Sequence, residues 1–178
     1  MHKFYIYLKF LLLGTLLVAQ DEATELADWE LVWEEQFDSR KLDSDKWTPL
    51  DPWGLVRNEE LQGYLPSQVK LEGGECIISC EKKPCFYDGA KREYRSGMIS
   101  THGKFAQTYG RFEIRCKSPK GVGFWPAFWM LPDPPAWPPE IDIMEILCEK
   151  PDEVFMTNHW THPTDSEETD SNSADFQG

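Results

Sequence analysis

From Trp29 to Trp160 the chain is divided by glycine- and proline-bearing connectors into apolar-rich segments of six to nine residues. That punctuation constrains the fold more than any other feature. Segments so short match the usual length of a strand and cannot carry a long amphipathic helical stripe. In order they are WELVWEEQF (29–37), ECIISC (75–80), SGMIST (96–101), YGRFEIRC (109–116), GFWPAFWML (123–131), EIDIMEIL (140–147) and EVFMTNHW (153–160). YGRFEIRC alternates Phe112, Ile114 and Cys116 against Arg111, Glu113 and Arg115. Period-two alternation marks a strand with one apolar and one polar face. Connectors such as KSPKGVG and PDPPAWPP separate the segments. Short strands at this spacing predict an all-β chain folded as an antiparallel sandwich.

The two ends differ from this middle. Residues 1–20, MHKFYIYLKFLLLGTLLVAQ, have a basic start at Lys3 and an apolar run over Leu8–Val18, then the acidic DEATE. This reads as a secretory signal peptide and a secreted, extracellular protein; a non-cleaved signal anchor is the alternative. Residues 163–178, PTDSEETDSNSADFQG, hold five acids and no Lys or Arg. Such composition buries little and predicts an acidic loop or tail. Residues 21–162 are left as the working domain.

Net charge is −13. That field repels nucleic acid and anionic membranes, and it weakly disfavours sulfated polymers. The expected partner is therefore neither nucleic acid nor, once the leader is removed, a membrane. Five cysteines follow the leader: Cys76, Cys80, Cys85, Cys116 and Cys148. In a secreted chain some should pair, with Cys80 and Cys85 able to close a hairpin. Finger-like zinc spacing is absent, so no metal is expected.

EIDIME places Glu140, Asp142 and Glu145 within six positions. On a helix, Glu140 and Glu145 would lie about 140° apart, on different faces. On a strand, Glu140 and Asp142 share a face, while strict alternation sends Glu145 to the apolar side, where a charge is costly. One extra residue near Met144 resolves this: a β-bulge returns Glu145 to its partners. The two glutamates then stand roughly 13 Å apart at Cα, and their side chains can close to about 5–5.5 Å, the separation a retaining glycosidase uses. In that chemistry one carboxylate attacks the anomeric carbon and the other serves as acid, then base. The charge of Asp142 between them would help keep Glu145 protonated.

GFWPAFWMLP followed by EIDIME resembles glycoside hydrolase family 16, the laminarinase- and lichenase-like β-glucanases. LVWEEQFDSRKLDSDKW, RNEELQGY, YRSGMISTHGKFAQTYGRFEIRCKSP and NHW are similar to other parts of that family, in order, from about Trp29 to Trp160. The resemblance implies a jelly-roll sandwich with a concave carbohydrate cleft. It implies Glu140 as nucleophile, Asp142 as assisting carboxylate and Glu145 as acid/base. It implies an endo-β-glucanase acting on 1,3- or mixed 1,3-1,4-linked glucan. Acting as a monomer is expected. A galactanase on agar- or carrageenan-type polymer, or a non-catalytic β-glucan-binding protein, are the alternatives. No cofactor is required, and no motif calls for the structural calcium that some members carry. The family's domains run past the NHW strand, so residues 21–162 are expected to be a C-terminally incomplete catalytic domain.

Trp125 and Trp129 are four apart and share a face of a straight strand. By family position Trp125 is the substrate contact and Trp129 a core residue. Trp137 in the proline-rich loop is expected to stack on sugar. His159 in NHW, with Asn58 and Glu60 in RNEELQ, is expected to bind substrate hydroxyls. The inserted Glu59 leaves the register of that segment open.

Overall fold

The computed structural model describes residues 3–6, 29–161 and 169–177. It contains strands β1 (Lys3–Ile6), β2 (Gln62–Tyr64), β3 (Val69–Leu71), β4 (Cys76–Ser79), β5 (Cys85–Tyr87) and β6 (Ala90–Arg92). β7 (Tyr94–Ser96), β8 (Cys116–Lys117), β9 (Ala127–Met130), β10 (Glu140–Glu145), β11 (Glu153–Thr161) and β12 (Thr169–Gln177) complete the set. One 3-10 turn, Pro66–Gln68, is the helical content of the described residues. The all-β expectation holds.

Two four-stranded sheets run in the orders β3-β4-β1-β8 and β12-β11-β10-β9. β2 pairs with β7 in parallel and β5 with β6 antiparallel. Met144, Ile146 and Cys148 are buried at the centre, packed against Phe124, Phe128, Val154 and, from β8, Cys116. Cys116 Sγ lies 3.5 Å from Met144 Sδ, so a residue of one sheet touches the core of the other. Full burial of a Met or Ile side chain is worth about 1.5–3 kcal/mol, which ties β10 and the residues after it to the fold's stability. Gly63 in β2 allows the closest approach, since a Cβ there would stand 2.6 Å from that of Tyr87 in β5.

Several expected strands are not laddered. Residues 29–37 form no ladder with another strand among the described residues. Aromatic contacts hold them instead: Trp33 meets Trp47 edge-on at 5.2 Å and stacks on Phe105 at 5.5 Å. In 109–116 the alternation survives as burial, with Phe112 and Ile114 covered and Arg111, Glu113 and Arg115 exposed, but pairing begins only at Cys116. Ser100 makes a single bridge to Thr48.

The expected loop after residue 163 is also corrected. Thr169–Gln177 pairs with β11 along its whole length, from Glu153↔Gln177 to Thr161↔Thr169. A polar composition argues against burial, not against a backbone ladder, and β11 offers an edge to complete. At the other end, Lys3–Ile6 lies between β4 and β8. The remainder of the 1–20 segment lies outside the described residues. No described helix is long and apolar enough to cross a membrane.

All five cysteines are free, against the expected pairing. They serve as small apolar residues. Cys76 is fully buried, and burial pushes its thiol up to about 12. Cys85 Sγ instead points to Tyr94 O at 3.4 Å.

Candidate active site

β10 lies between β9 and β11, and its register shows how the acids come together. Glu140 faces His159, Asp142 faces Thr157, and Glu145 faces Phe155. Residues 155, 157 and 159 alternate along β11, so the three acids opposite them share one face. Asp142 to Glu145 is three steps on β10 against two on β11, which is one extra residue. Against β9 the slip falls between Asp142 and Met144. The expected bulge is there. It turns Met144 into the core and sends Glu145 back to the acid side.

Each acid meets one aromatic nitrogen. The Trp137 indole Nε1 donates to Glu140 Oε2 at 2.5 Å, and Trp125 Nε1 donates to Glu145 Oε1 at 2.8 Å. His159 Nε2 lies 3.1 Å from Asp142 Oδ2. Trp137 also tilts toward the His159 ring at 6.1 Å between centroids. Trp125 and Trp137 are 47% and 56% exposed, so both rings are available to a flat ligand.

Asp142 is buried. Loss of solvent raises its carboxyl first; the charges of Glu145 and Glu140 raise it further, and His159 partly offsets them. The result is about 6. Burial also raises Glu145; the Trp125 hydrogen bond lowers it, and Glu140 adds to the rise. The charges of Asp142 and Glu145 oppose one another, and that of Glu140 raises both carboxyls.

Trp129, expected in the core, sits directly opposite Asp142 on β9. Core packing in that segment falls to Phe124 and Phe128. Spacing alone carried the right signal, because Trp125 and Trp129 share a face. Trp53 stacks on Trp129 at 6.5 Å and 17°, and Arg57 covers Trp53 at 5.0 Å. Sequence reasoning missed both residues, which lie in a loop with no periodicity.

Arg57 in turn pairs with the buried Asp51 at 3.2 Å. Asn58 and Glu60 follow in the turn before β2. Asn58 and Glu59 adopt φ of 50° and 56°, a left-handed pair that absorbs the inserted residue. The Glu60 carboxyl is raised by burial and accepts from Tyr64 Oη at 3.0 Å. Among the described residues neither Asn58 nor Glu60 bonds to the three acids; their link to the site runs through Arg57, Trp53 and Trp129. His159 is likewise joined to Asp142 rather than free for a ligand at Nε2. No described group of three or more His, Cys, Asp or Glu could hold a metal.

The family profile of "Glycosyl hydrolases family 16" matches residues 64–178. The chain belongs to this family. The match includes β12, so the acidic segment after residue 163 is family sequence. A β-glucanase of Rhodothermus marinus is 41% identical over 167 residues, covering 86% of this chain and 56% of its own length. An endo-1,3-1,4-β-glycanase of Rhizobium meliloti is 36% identical, covering 64% of this chain and 27% of its own. The solved catalytic domain of an endo-1,3-β-glucanase (laminarinase) from Thermotoga petrophila superposes with a TM-score of 0.72 at 33% identity, over 84% of this chain and 63% of that one. The chain thus spans about half of the R. marinus relative. Its all-β architecture is that of the family 16 jelly roll.

Proposed function

We propose that this chain carries the catalytic strand of a secreted, retaining endo-glycosidase acting on β-1,3- or mixed β-1,3-1,4-glucan. One observation carries the reading: a bulge in β10 sets two glutamates and a buried aspartic acid on one face, beside two exposed indoles. Glu140 is the nucleophile, Asp142 the assisting acid and Glu145 the acid/base. In the first displacement Glu145 gives its proton to the leaving oxygen while Glu140 bonds to the anomeric carbon. Esterified, Glu140 no longer bears the charge that raises Glu145. Glu145 then loses its proton more readily and acts as base toward water. The names of the relatives support glucan as substrate, and Trp125, Trp137 and Trp129 supply flat surfaces for pyranose rings. Secretion rests on the basic start and apolar run of residues 1–20, and N-terminal sequencing of exported protein tests it.

The experiment is digestion of laminarin and lichenan by the protein and by Glu140→Gln. The expected result is reducing ends from the first and background from the second. Equal cleavage by the variant would remove Glu140 as nucleophile. The three retained acids argue for an enzyme over a binding-only relative.

A further inference from the structure

The two glutamates are not held symmetrically. Each offers one oxygen to an indole and keeps one clear of it. Trp137 occupies Oε2 of Glu140, and Trp125 occupies Oε1 of Glu145. Indole nitrogen only donates, so the direction of both bonds is certain. A carboxyl oxygen that accepts an N–H is the carbonyl-type oxygen, and an acid proton resides on the other. On Glu145 the proton is thereby placed on Oε2. On Glu140 the occupied Oε2 is the poorer nucleophile, which leaves Oε1 to attack. Neither ring is needed in the core, since Trp125 and Trp137 are exposed while Phe124 and Phe128 do the packing.

From this geometry we infer that Trp125 and Trp137 are positioning residues that select the reacting oxygen of each glutamate, Oε2 of Glu145 as proton donor and Oε1 of Glu140 as attacking atom. This goes beyond the stacking expected of both rings, and it rests on the proposed glycosidase reading. A stacking platform needs only the ring face. Oxygen selection needs the N–H, which phenylalanine lacks.

Trp→Phe substitutions separate the two roles. Initial rates are measured with aryl β-oligoglucosides whose phenol leaving groups differ in acidity, and with glucan. A very acidic phenol leaves without a proton; a poor one requires it. With every substrate C1–O of the leaving group cleaves and C1–O of Glu140 forms; a poor leaving group takes the Glu145 proton, whereas a very acidic phenol departs as phenolate and Glu145 keeps it.

Trp125→Phe is expected to lose roughly 10- to 100-fold on glucan and on poor leaving groups. It should lose far less on the most acidic phenol, so rate depends more steeply on leaving-group acidity. Trp137→Phe is expected to lose a similar factor on every substrate, with the slope unchanged. The slope is a ratio within one preparation, so a fraction of misfolded protein does not alter it. An unchanged slope for Trp125→Phe, or full rates for Trp137→Phe, would overturn the inference and leave the glycosidase reading standing. A parent protein inert on every substrate would sink that reading and this inference with it.

Discussion

Asp51 and Asp142 are both buried, 4% and 5% exposed, and the chain treats them in opposite ways. Asp51 is fully matched. It receives the Arg57 guanidinium at 3.2 Å, the Tyr87 hydroxyl at 2.9 Å and the Trp53 backbone N–H at 3.2 Å. Asp142 has His159 at 3.1 Å and, for electrostatic neighbours, two more acids. A buried carboxylate kept for structure is given a cation. One placed among like charges is useful only if its proton is to move, and such perturbed groups gather at functional sites. Yet the two are connected. Arg57 covers Trp53, Trp53 stacks on Trp129, and Trp129 faces Asp142. The matched aspartate props the wall beside the unmatched one.

Several substitutions sharpen or break this contrast. The largest effect is expected at the acid cluster, where Glu145→Gln should cut glucan hydrolysis by about 10²- to 10⁴-fold with no loss of thermal stability, since burial and Glu140 already raise the Glu145 carboxyl. Steady-state rates and a melting curve on the same sample check it. Next comes Asp51→Ala, which strands Arg57 and the Tyr87 hydroxyl. It should cost about 2–4 kcal/mol by denaturant titration, less than a fully buried pair because Arg57 is one-third exposed. A loss confined to activity would break the contrast.

Asp142→Asn should do the reverse of Asp51→Ala. The Asp142 carboxyl is raised from 3.8 to about 6 in the fold. Below 3.8 it is protonated in folded and unfolded chains alike and makes no difference. Between 3.8 and 6 the folded state holds the extra proton, so stability falls as pH rises through that window. At pH 7 the native state bears the full cost of the buried charge. The asparagine variant should therefore be more stable by about 1–3 kcal/mol at pH 7 and unchanged near pH 3, while its turnover drops. Equal gains at both pH values would contradict the assignment. The smallest effect is expected from Arg57→Lys, which keeps a cation for Asp51 but loses the planar guanidinium over Trp53, a contact of about 1 kcal/mol. It should raise KM for glucan roughly fivefold with kcat held. A change in kcat alone would separate that wall from substrate.

The acid strand could be read from sequence almost residue by residue. Ile141, Ile143 and Met144 around the three carboxylates admit one low-cost solution, a bulged strand, because burying Glu145 is so unfavourable. Residues 29–37 show where such reading stops. Alternation says which side chains turn inward, but not whether another backbone lies alongside. The same gap hid β12, whose pairing depends on peptide groups rather than on its acidic side chains. Cysteine pairing failed for a related reason: spacing does not say that Cys85 turns to a carbonyl. Asp51, Arg57 and Trp53 lie in an irregular loop, and only the fold brings them to Trp129.

The central claim is that Glu140 on the bulged strand forms a bond to sugar. Incubation with a 2-deoxy-2-fluoro aryl β-oligoglucoside, which slows release of a glycosyl-enzyme, followed by peptide mass spectrometry, tests it most directly. The account predicts time-dependent inactivation and a glycosyl mass on the peptide containing Glu140, absent in Glu140→Gln. A label on another residue, or undiminished turnover of glucan by a protein that never acquires one, would contradict it.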